Sequence, residues 1–183
     1  MKKQFIAKLL ALALVLSMVP VAVIGASAAG SNGGYYDVYE DTTPVSTVDA
    51  SDVAVEDGSV TIEAKVVGGA ATVVVSEKAL EAMAEQVTGD ELVLKVEAPG
   101  ATKVDVSIPA KALSDFAEKT GAALTYELGD VATISIPNEA LATVFGTIGN
   151  AKISAQASGS SIGFTIQVSG RALKAIKGLQ VTF

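Results

Sequence analysis

The chain has 183 residues, with 20 acidic and 13 basic side chains, no cysteine and no histidine. Without histidine or cysteine it has neither a Ser-His nor a Cys-His nucleophile pair, and it lacks the usual ligands of zinc, haem and iron–sulfur clusters. The formal net charge of −7 disfavours nucleic acid as a partner, because binding to phosphates needs lysine and arginine.

Residues 1–29 have the three parts of a secretory signal peptide. A basic start is followed by an apolar run over residues 9–24 and by the small-residue cleavage motif Ala26-Ser27-Ala28. A transmembrane anchor is the alternative, but the run is shorter than the roughly 20 residues that a bilayer requires. We therefore predict an extracellular protein, secreted or associated with the cell surface, that has no membrane span after cleavage.

Residues 30–59 are predicted to form a flexible acidic linker. The stretch opens with Gly-Ser-Asn-Gly-Gly and sustains neither a period of two nor one of 3.6 residues. Three tyrosines, Tyr35, Tyr36 and Tyr39, lie among acidic residues within it. A short recognition element built on these tyrosines is the alternative to a solvated leader.

From residue 60 to residue 183 the chain repeats a strand–short helix–strand pattern four times. The approximate units are 60–98, 99–130, 131–157 and 158–183. Each unit has an Ala-Leu pair with a large apolar residue three positions after the leucine, which predicts one apolar helix face. The leucines are Leu80, Leu113, Leu141 and Leu173. A residue favoured at helix starts stands four positions before each leucine: Ser76, Pro109, Pro137 and Ser169.

Alternating apolar side chains predict a strand before each helix, and a return strand follows each helix. The return strands are predicted at 92–96, 123–128, 152–155 and 179–183, and a leading strand is predicted at 60–67. Short, turn-rich joints predict hairpins and therefore antiparallel neighbours: Gly68-Gly69, Pro99-Gly100, Gly129-Asp130 and Ser158-Gly159-Ser160. The sequence thus predicts an α+β fold of mainly antiparallel β-sheet, with short helices closing one face or the ends.

A longer period suggests a duplication. The spacing from Leu80 to Leu141 nearly equals that from Leu113 to Leu173, which predicts that the four units form two duplicated pairs. On this interpretation the hairpin 92–108 has the same layout as the hairpin 153–168. The last return strand has no following strand to pair with. We therefore expect a sequence truncated at its C-terminus that self-associates through this edge strand.

Carboxylates are the remaining candidates for acid–base catalysis or metal binding. On the predicted helices, a glycosidase-like pair would come from Glu77, Glu81 and Glu85, or from Asp115 and Glu118. Calcium would use acids of the linker and turns, namely Asp49, Asp52, Glu56, Asp57, Asp90 and Glu91. Solvated charges explain both groups more simply, since the calcium-loop spacing and sugar-stacking tryptophans are missing from the sequence. We assign no catalytic, cofactor-binding or metal-binding residue and no cofactor.

Two segments carry a family resemblance. Val106-Ser-Ile-Pro-Ala-Lys-Ala-Leu113 and Ile134-Ser-Ile-Pro-Asn-Glu-Ala-Leu141, each followed by a predicted short helix and a return strand, resemble the repeated extracellular region of Firmicutes cell-surface proteins. In those proteins the region lies upstream of S-layer homology (SLH) modules. The resemblance covers about residues 60–183, and no SLH module is visible in this sequence.

The resemblance implies a displayed structural or adhesive region of a Gram-positive bacterium and not an enzyme. We therefore expect the N-terminal part of a larger wall-associated protein of the SLH type, with cell-wall or S-layer components as partners. The alternative is a ligand-binding module for a wall polymer, a host protein or calcium. A carboxylate-dependent hydrolase is a third hypothesis, and it requires an acid pair in a cleft.

Overall fold

The computed structural model describes residues 44–183, so the predicted signal peptide and residues 30–43 of the predicted linker lie outside the described residues. The strands of the described part are β1 (Val45–Val48), β2 (Ser59–Glu63), β3 (Val66–Val67), β4 (Ala70–Val75), β5 (Glu91–Glu97), β6 (Lys103–Pro109), β7 (Ala123–Leu128), β8 (Ala132–Ile136), β9 (Asn150–Ser158), β10 (Ser161–Val168), β11 (Arg171–Ala172) and β12 (Gln180–Thr182). Its helices are α1 (Glu77–Gln86), α2 (Ala110–Thr120) and α3 (Asn138–Val144), and a 3₁₀ turn spans Ala50–Asp52.

The strands form two mixed sheets. The first sheet has the order β1-β4-β6-β9-β10-β11, with β3 also paired to β4, and the second has the order β2-β5-β7-β8-β12. In both sheets the strand order therefore follows the chain from one side to the other. We call the side that carries β1 and β2 the N-terminal side, and the side that carries β10 and β12 the C-terminal side.

Alternation along the strands buries one face of each sheet. Val73 and Val75 of β4 and Leu92 and Leu94 of β5 are inaccessible to solvent, while their neighbours along the strands are more exposed. The inner faces of both sheets contribute to one apolar core, as in a sandwich whose sheets lie about 10 Å apart. The predicted α+β class is confirmed.

Three helices close one end of this sandwich. Helix α1 packs on α2, and α2 packs on α3. Leu80, Leu113 and Leu141 point into the core with at most 1% of their surface exposed, as their spacing predicted. The predicted start of α1 is confirmed by a cap, since the Ser76 hydroxyl accepts a hydrogen bond from the Ala79 N–H at 3.1 Å.

The prediction of mainly antiparallel sheet is not confirmed, because both sheets are mixed. Pairing is parallel for β1–β4, β4–β6, β2–β5 and β5–β7. For the pair β4–β6 the reason is that Pro99-Gly100 does not form a hairpin. This joint carries the chain from β5 in the second sheet to β6 in the first, so β6 lies beside β4 and runs in the same direction. Hairpins do form at the other three predicted joints.

The predicted layout of two equal pairs is not found. The stretch 92–108 crosses between the sheets, whereas 153–168 forms a hairpin within the first sheet. The leading strand predicted at 60–67 is also divided, because β2 belongs to the second sheet and β3 to the first.

Part of the predicted linker is folded. Residues 45–59 form β1, the 3₁₀ turn and the start of β2. Val48 explains why, since it is only 5% exposed and β1 pairs along its whole length with β4. β1 has the sequence Val-Ser-Thr-Val, in which the β-branched residues favour a strand, but no apolar alternation marks it in the sequence.

The helix predicted at Ser169 is absent. Ser169 and Gly170 both have positive φ, 50° and 76°, and they form the two-residue turn between β10 and β11. A Ser-Gly pair suits such a turn because glycine adopts this conformation at little cost. The Ser169 hydroxyl donates to the Ile148 carbonyl at 2.6 Å and does not cap a helix. The fourth unit therefore consists of strands and an irregular segment.

The last strand has a partner, contrary to the expectation from sequence. β12 pairs antiparallel with β8, with Val181 opposite Ile134. β12 still ends the second sheet, because no other strand of residues 44–183 pairs with its outer edge. Within the same residues, no helix combines the length and the apolar character needed to cross a membrane.

Candidate functional site

The carboxylates predicted on the helices meet in a groove between α1 and α2. Glu77, Glu81, Glu85 and Asp115 line this groove of about 310 Å³, and Glu118 is not among its lining residues. Its floor is apolar and comes from Leu80, Ala84, Ala112 and Phe116.

Lysines pair with two of these acids. The Nζ of Lys119 lies 3.4 Å from Glu85 Oε1, and Lys111 forms an ion pair with Asp115 on the same helix. The Glu85 and Asp115 side chains are 71% and 49% exposed. Paired, exposed carboxylates match a solvated helix surface, whereas a glycosidase needs two carboxyl groups held at a defined separation in a cleft.

The acids proposed for calcium do not converge. Asp52 is used locally, since its carboxylate accepts a hydrogen bond from the Asp49 N–H at 3.0 Å. Glu91 accepts a hydrogen bond from the Thr125 hydroxyl. Among residues 44–183 no three acidic side chains come close enough to hold a metal ion. Calcium binding therefore gains no support from the described part of the chain.

A buried ion cluster that sequence reasoning missed lies on the outer face of the first sheet. Asp105 of β6 accepts contacts at its Oδ2 from Lys152 Nζ at 2.9 Å and from Lys103 Nζ at 3.3 Å. Its side chain is 8% exposed, and its Oδ1 has no hydrogen-bond partner among the described residues.

Electrostatics keep Asp105 charged. Burial raises the pKa of Asp105, but hydrogen bonds from Lys152 and Ser154 and the charges of Lys152 and Lys103 outweigh burial, so the pKa lies below its usual value. Because Lys152 and Ser154 belong to β9, the cluster joins β6 to β9. We interpret it as structural. The sequence showed only a polar position in an alternating strand, since burial depends on the neighbouring strands.

One further buried polar group lies in the core. The Tyr126 hydroxyl has no hydrogen-bond partner among the described residues, and its side chain is inaccessible to solvent. Burial raises the pKa of Tyr126, so the phenol stays neutral. A group sealed between the sheets cannot reach a ligand in solution.

The C-terminal side carries the most unusual surface of the described residues. Ile162 and Phe164 of β10 lie on the same face as Ile166 and Val168, which are buried in the core. Yet Ile162 and Phe164 are 37% and 40% exposed, because β10 extends beyond the cover of the second sheet. Phe183 adds to the patch with 62% exposure, and its ring lies 6.4 Å from that of Phe164.

The backbone beside this patch is also open. Only Gln167 and Val168 of β10 pair with β11, and the Ile166 carbonyl accepts the Leu173 N–H at 2.8 Å. No strand of residues 44–183 pairs with the outer edge of Ser161–Thr165. This stretch has neither proline nor a charged residue, which are the usual protections of an edge strand. We refer to Ile162, Phe164, Phe183 and this open edge as the apolar edge.

Comparisons with protein-family models, with curated proteins and with solved structures find no match. The apolar edge and its surroundings are the part of the described structure that bears on function. Exposed apolar side chains next to unpaired backbone groups are suited to bind an extended strand of another protein. The sequence predicted binding at residues 179–183 but not the larger contribution of β10.

Proposed function

We propose that this chain is a non-catalytic structural and interaction module displayed at the surface of a bacterial cell. The observation that carries the proposal is the apolar edge, where Ile162, Phe164 and Phe183 are exposed beside unpaired backbone. Such a surface costs free energy in water unless a partner covers it. Among the candidate acids, by contrast, Glu85 and Asp115 are paired with lysines, Asp52 and Glu91 accept hydrogen bonds within the fold, and no three acids of residues 44–183 are placed to hold a metal ion.

The support for export and for a cell-wall location comes from the sequence. Residues 1–29 have the pattern of a signal peptide that directs a chain out of the cytoplasm, and the resemblance to repeated regions of SLH-type proteins supports a location in a Gram-positive cell wall. On this proposal the chain is the N-terminal part of a larger wall-associated protein, and its partners are cell-wall or S-layer components or further copies of itself.

A second candidate function is binding of an anionic wall polymer. It is favoured by Arg171 and Lys174 on the C-terminal side, which are exposed and have no carboxylate within 4 Å among the described residues. Such a module binds by charge, so its affinity falls steeply with salt.

Export and binding can be tested together in a Gram-positive host that expresses the full chain. We expect a shortened chain, cleaved close to Ala28 or Ala29, in the medium or the cell-wall fraction, and retention of the wild-type chain by purified walls or by immobilised chain. The F164E/F183E variant should be exported equally well but retained less. A chain that stays in the cytoplasm, or that neither walls nor immobilised chain retain, would refute the proposed function.

A further inference from the structure

We propose that the apolar edge binds the N-terminal side of a second copy of this chain, so that copies associate head to tail. This inference rests on the proposed interaction function and names its partner. Three features of the described residues favour a second copy in this arrangement: the direction of the edge strands, the distribution of charge, and the position of that charge along the strands.

Strand direction permits simple stacking. In the first sheet β10 runs in the same direction as β1, because β1, β4 and β6 are parallel and two antiparallel steps separate β6 from β10. In the second sheet β12 is likewise parallel to β2. A second copy translated sideways therefore places β2 beside β12 in parallel, with Ser59 level with Gln180. In the first sheet the same translation brings β3 level with Gly163 and Phe164 of the open edge, while β1 lies level with residues 165–168, where β11 already pairs. The pairing of strands between copies is therefore expected in the second sheet, and the contact in the first sheet is one between side chains.

The two sides carry opposite charge. Residues 44–98, which include β1 and β2 of the N-terminal side, have 11 acidic and three basic side chains. Residues 140–183, which include β10 and β12 of the C-terminal side, have four basic side chains and no acidic one. Pairing two C-terminal sides with each other would bring like charges together, whereas head-to-tail contact brings opposite charges together.

The basic groups of the C-terminal side and the acidic groups of the N-terminal side also lie at the same end of the strands. Arg171 and Lys174 follow β10, which runs towards the end that the helices close. Asp49 and Asp52 lie at that same end, because they belong to the exposed 3₁₀ turn that follows β1, and β1 runs in the same direction as β10. In a sideways translation these basic and acidic groups face each other. Lys152 and Lys177 contribute less to the attraction between copies, because they already contact Asp105 and Glu139 of their own copy.

The N-terminal side offers matching apolar contacts. Val45 of β1 and Val67 of β3 are 52% and 45% exposed, and both strands lie at the same edge of the first sheet. Because the two surfaces in contact differ, the association is heterologous and does not close at a dimer.

Two double variants separate head-to-tail association from its alternatives. F164E/F183E places two negative charges in the apolar edge of the C-terminal side. V45K/V67K places two positive charges on the N-terminal side. In sedimentation velocity of the exported chain, we expect the wild-type mass to rise beyond a dimer with concentration. Each variant alone should weaken association at least about thirtyfold. An equimolar mixture should form 1:1 dimers and nothing larger, because each variant keeps one intact side.

Controls address folding and charge. F164L/F183L keeps the surface apolar and should associate like wild type, and circular dichroism should show all variants folded. R171E/K174E alters only exposed charges and should also weaken association. Raising the ionic strength from about 0.01 M to about 1 M shortens the Debye length from about 30 Å to about 3 Å, so high salt should weaken head-to-tail contact.

Specific outcomes would overturn the inference. If V45K/V67K alone dimerises as well as wild type, two C-terminal sides bind each other. If the wild-type chain stays monomeric but binds purified anionic wall polymer through Arg171 and Lys174, the partner is that polymer. In this second case the proposed interaction function stands while the head-to-tail inference fails. If the chain associates head to tail but is never exported, the head-to-tail inference stands while the proposed function fails.

Discussion

Replacing Leu113 with alanine is expected to lower the free energy of unfolding by about 2–5 kcal/mol. Leu113 lies on α2 and has no exposed surface, so the smaller side chain leaves a cavity where α2 closes the end of the sandwich. Urea denaturation followed by circular dichroism measures the effect. The midpoint should fall while the dependence on urea concentration stays the same.

Leu173 is the matched control, because it occupies the same position in the fourth unit. It is only partly buried and lies outside any helix. Leu173→Ala should therefore cost less than about 1 kcal/mol. Equal losses for the two variants would contradict the finding that the fourth unit lacks the helix of the other three.

Replacing Asp105 with alanine is expected to lower the free energy of unfolding by about 1–3 kcal/mol at neutral pH. The substitution leaves Lys103 and Lys152 next to each other without their shared carboxylate, although both can turn partly to water since they are 42% and 44% exposed. Asp115→Ala removes a solvent-exposed ion pair on α2 and should leave stability nearly unchanged. A similar loss from both variants would contradict the structural role of Asp105.

The Asp105 contribution should also depend on pH. The pKa of Asp105 is lower in the folded chain than its usual value of 3.8, so the folded state holds this carboxylate charged more firmly than the unfolded state does. The stabilisation is fully present above the unfolded pKa and is lost as pH falls through the folded pKa. The difference in stability between wild type and Asp105→Ala should be constant from neutral pH to about pH 5 and shrink below pH 4. A constant difference down to pH 2 would contradict this assignment.

Local structure followed from the sequence where neighbouring residues decide it. Apolar alternation located β4 and β6, and the Ala-Leu spacing with Ser76 and Pro109 located α1 and α2. Ser169 does not begin a helix, because the glycine that follows it favours the tight turn that the two residues form. Serine before glycine is thus a weaker helix signal than serine before Glu77.

Strand partners could not be predicted in the same way. A short joint such as Pro99-Gly100 permits either a hairpin or a crossing between two sheets, since both leave one face of each strand apolar. The choice depends on which sheet surfaces meet, and that is a property of the whole chain. The ion pair of Asp105 could not be predicted for the same reason. Its partner Lys152 is distant in sequence and comes close only because β9 pairs with β6.

The candidate site was predicted in part. The sequence placed an exposed strand edge at residues 179–183, but this strand pairs with β8 on one side. Most of the open edge belongs to Ser161–Thr165, whose apolar alternation looks like that of any core strand. Only the shorter length of the second sheet at this point leaves Phe164 exposed.

The most direct test of the account is amide hydrogen exchange at Ser161–Thr165 of the exported chain, measured dilute, concentrated, and bound to purified cell walls. If the apolar edge is the interaction surface, outward-facing amides of this stretch should exchange rapidly in dilute solution and at least about tenfold more slowly when the chain is concentrated or bound. Exchange that remains equally rapid under all three conditions, while the chain is associated or bound, would show that partners bind elsewhere and would contradict the account.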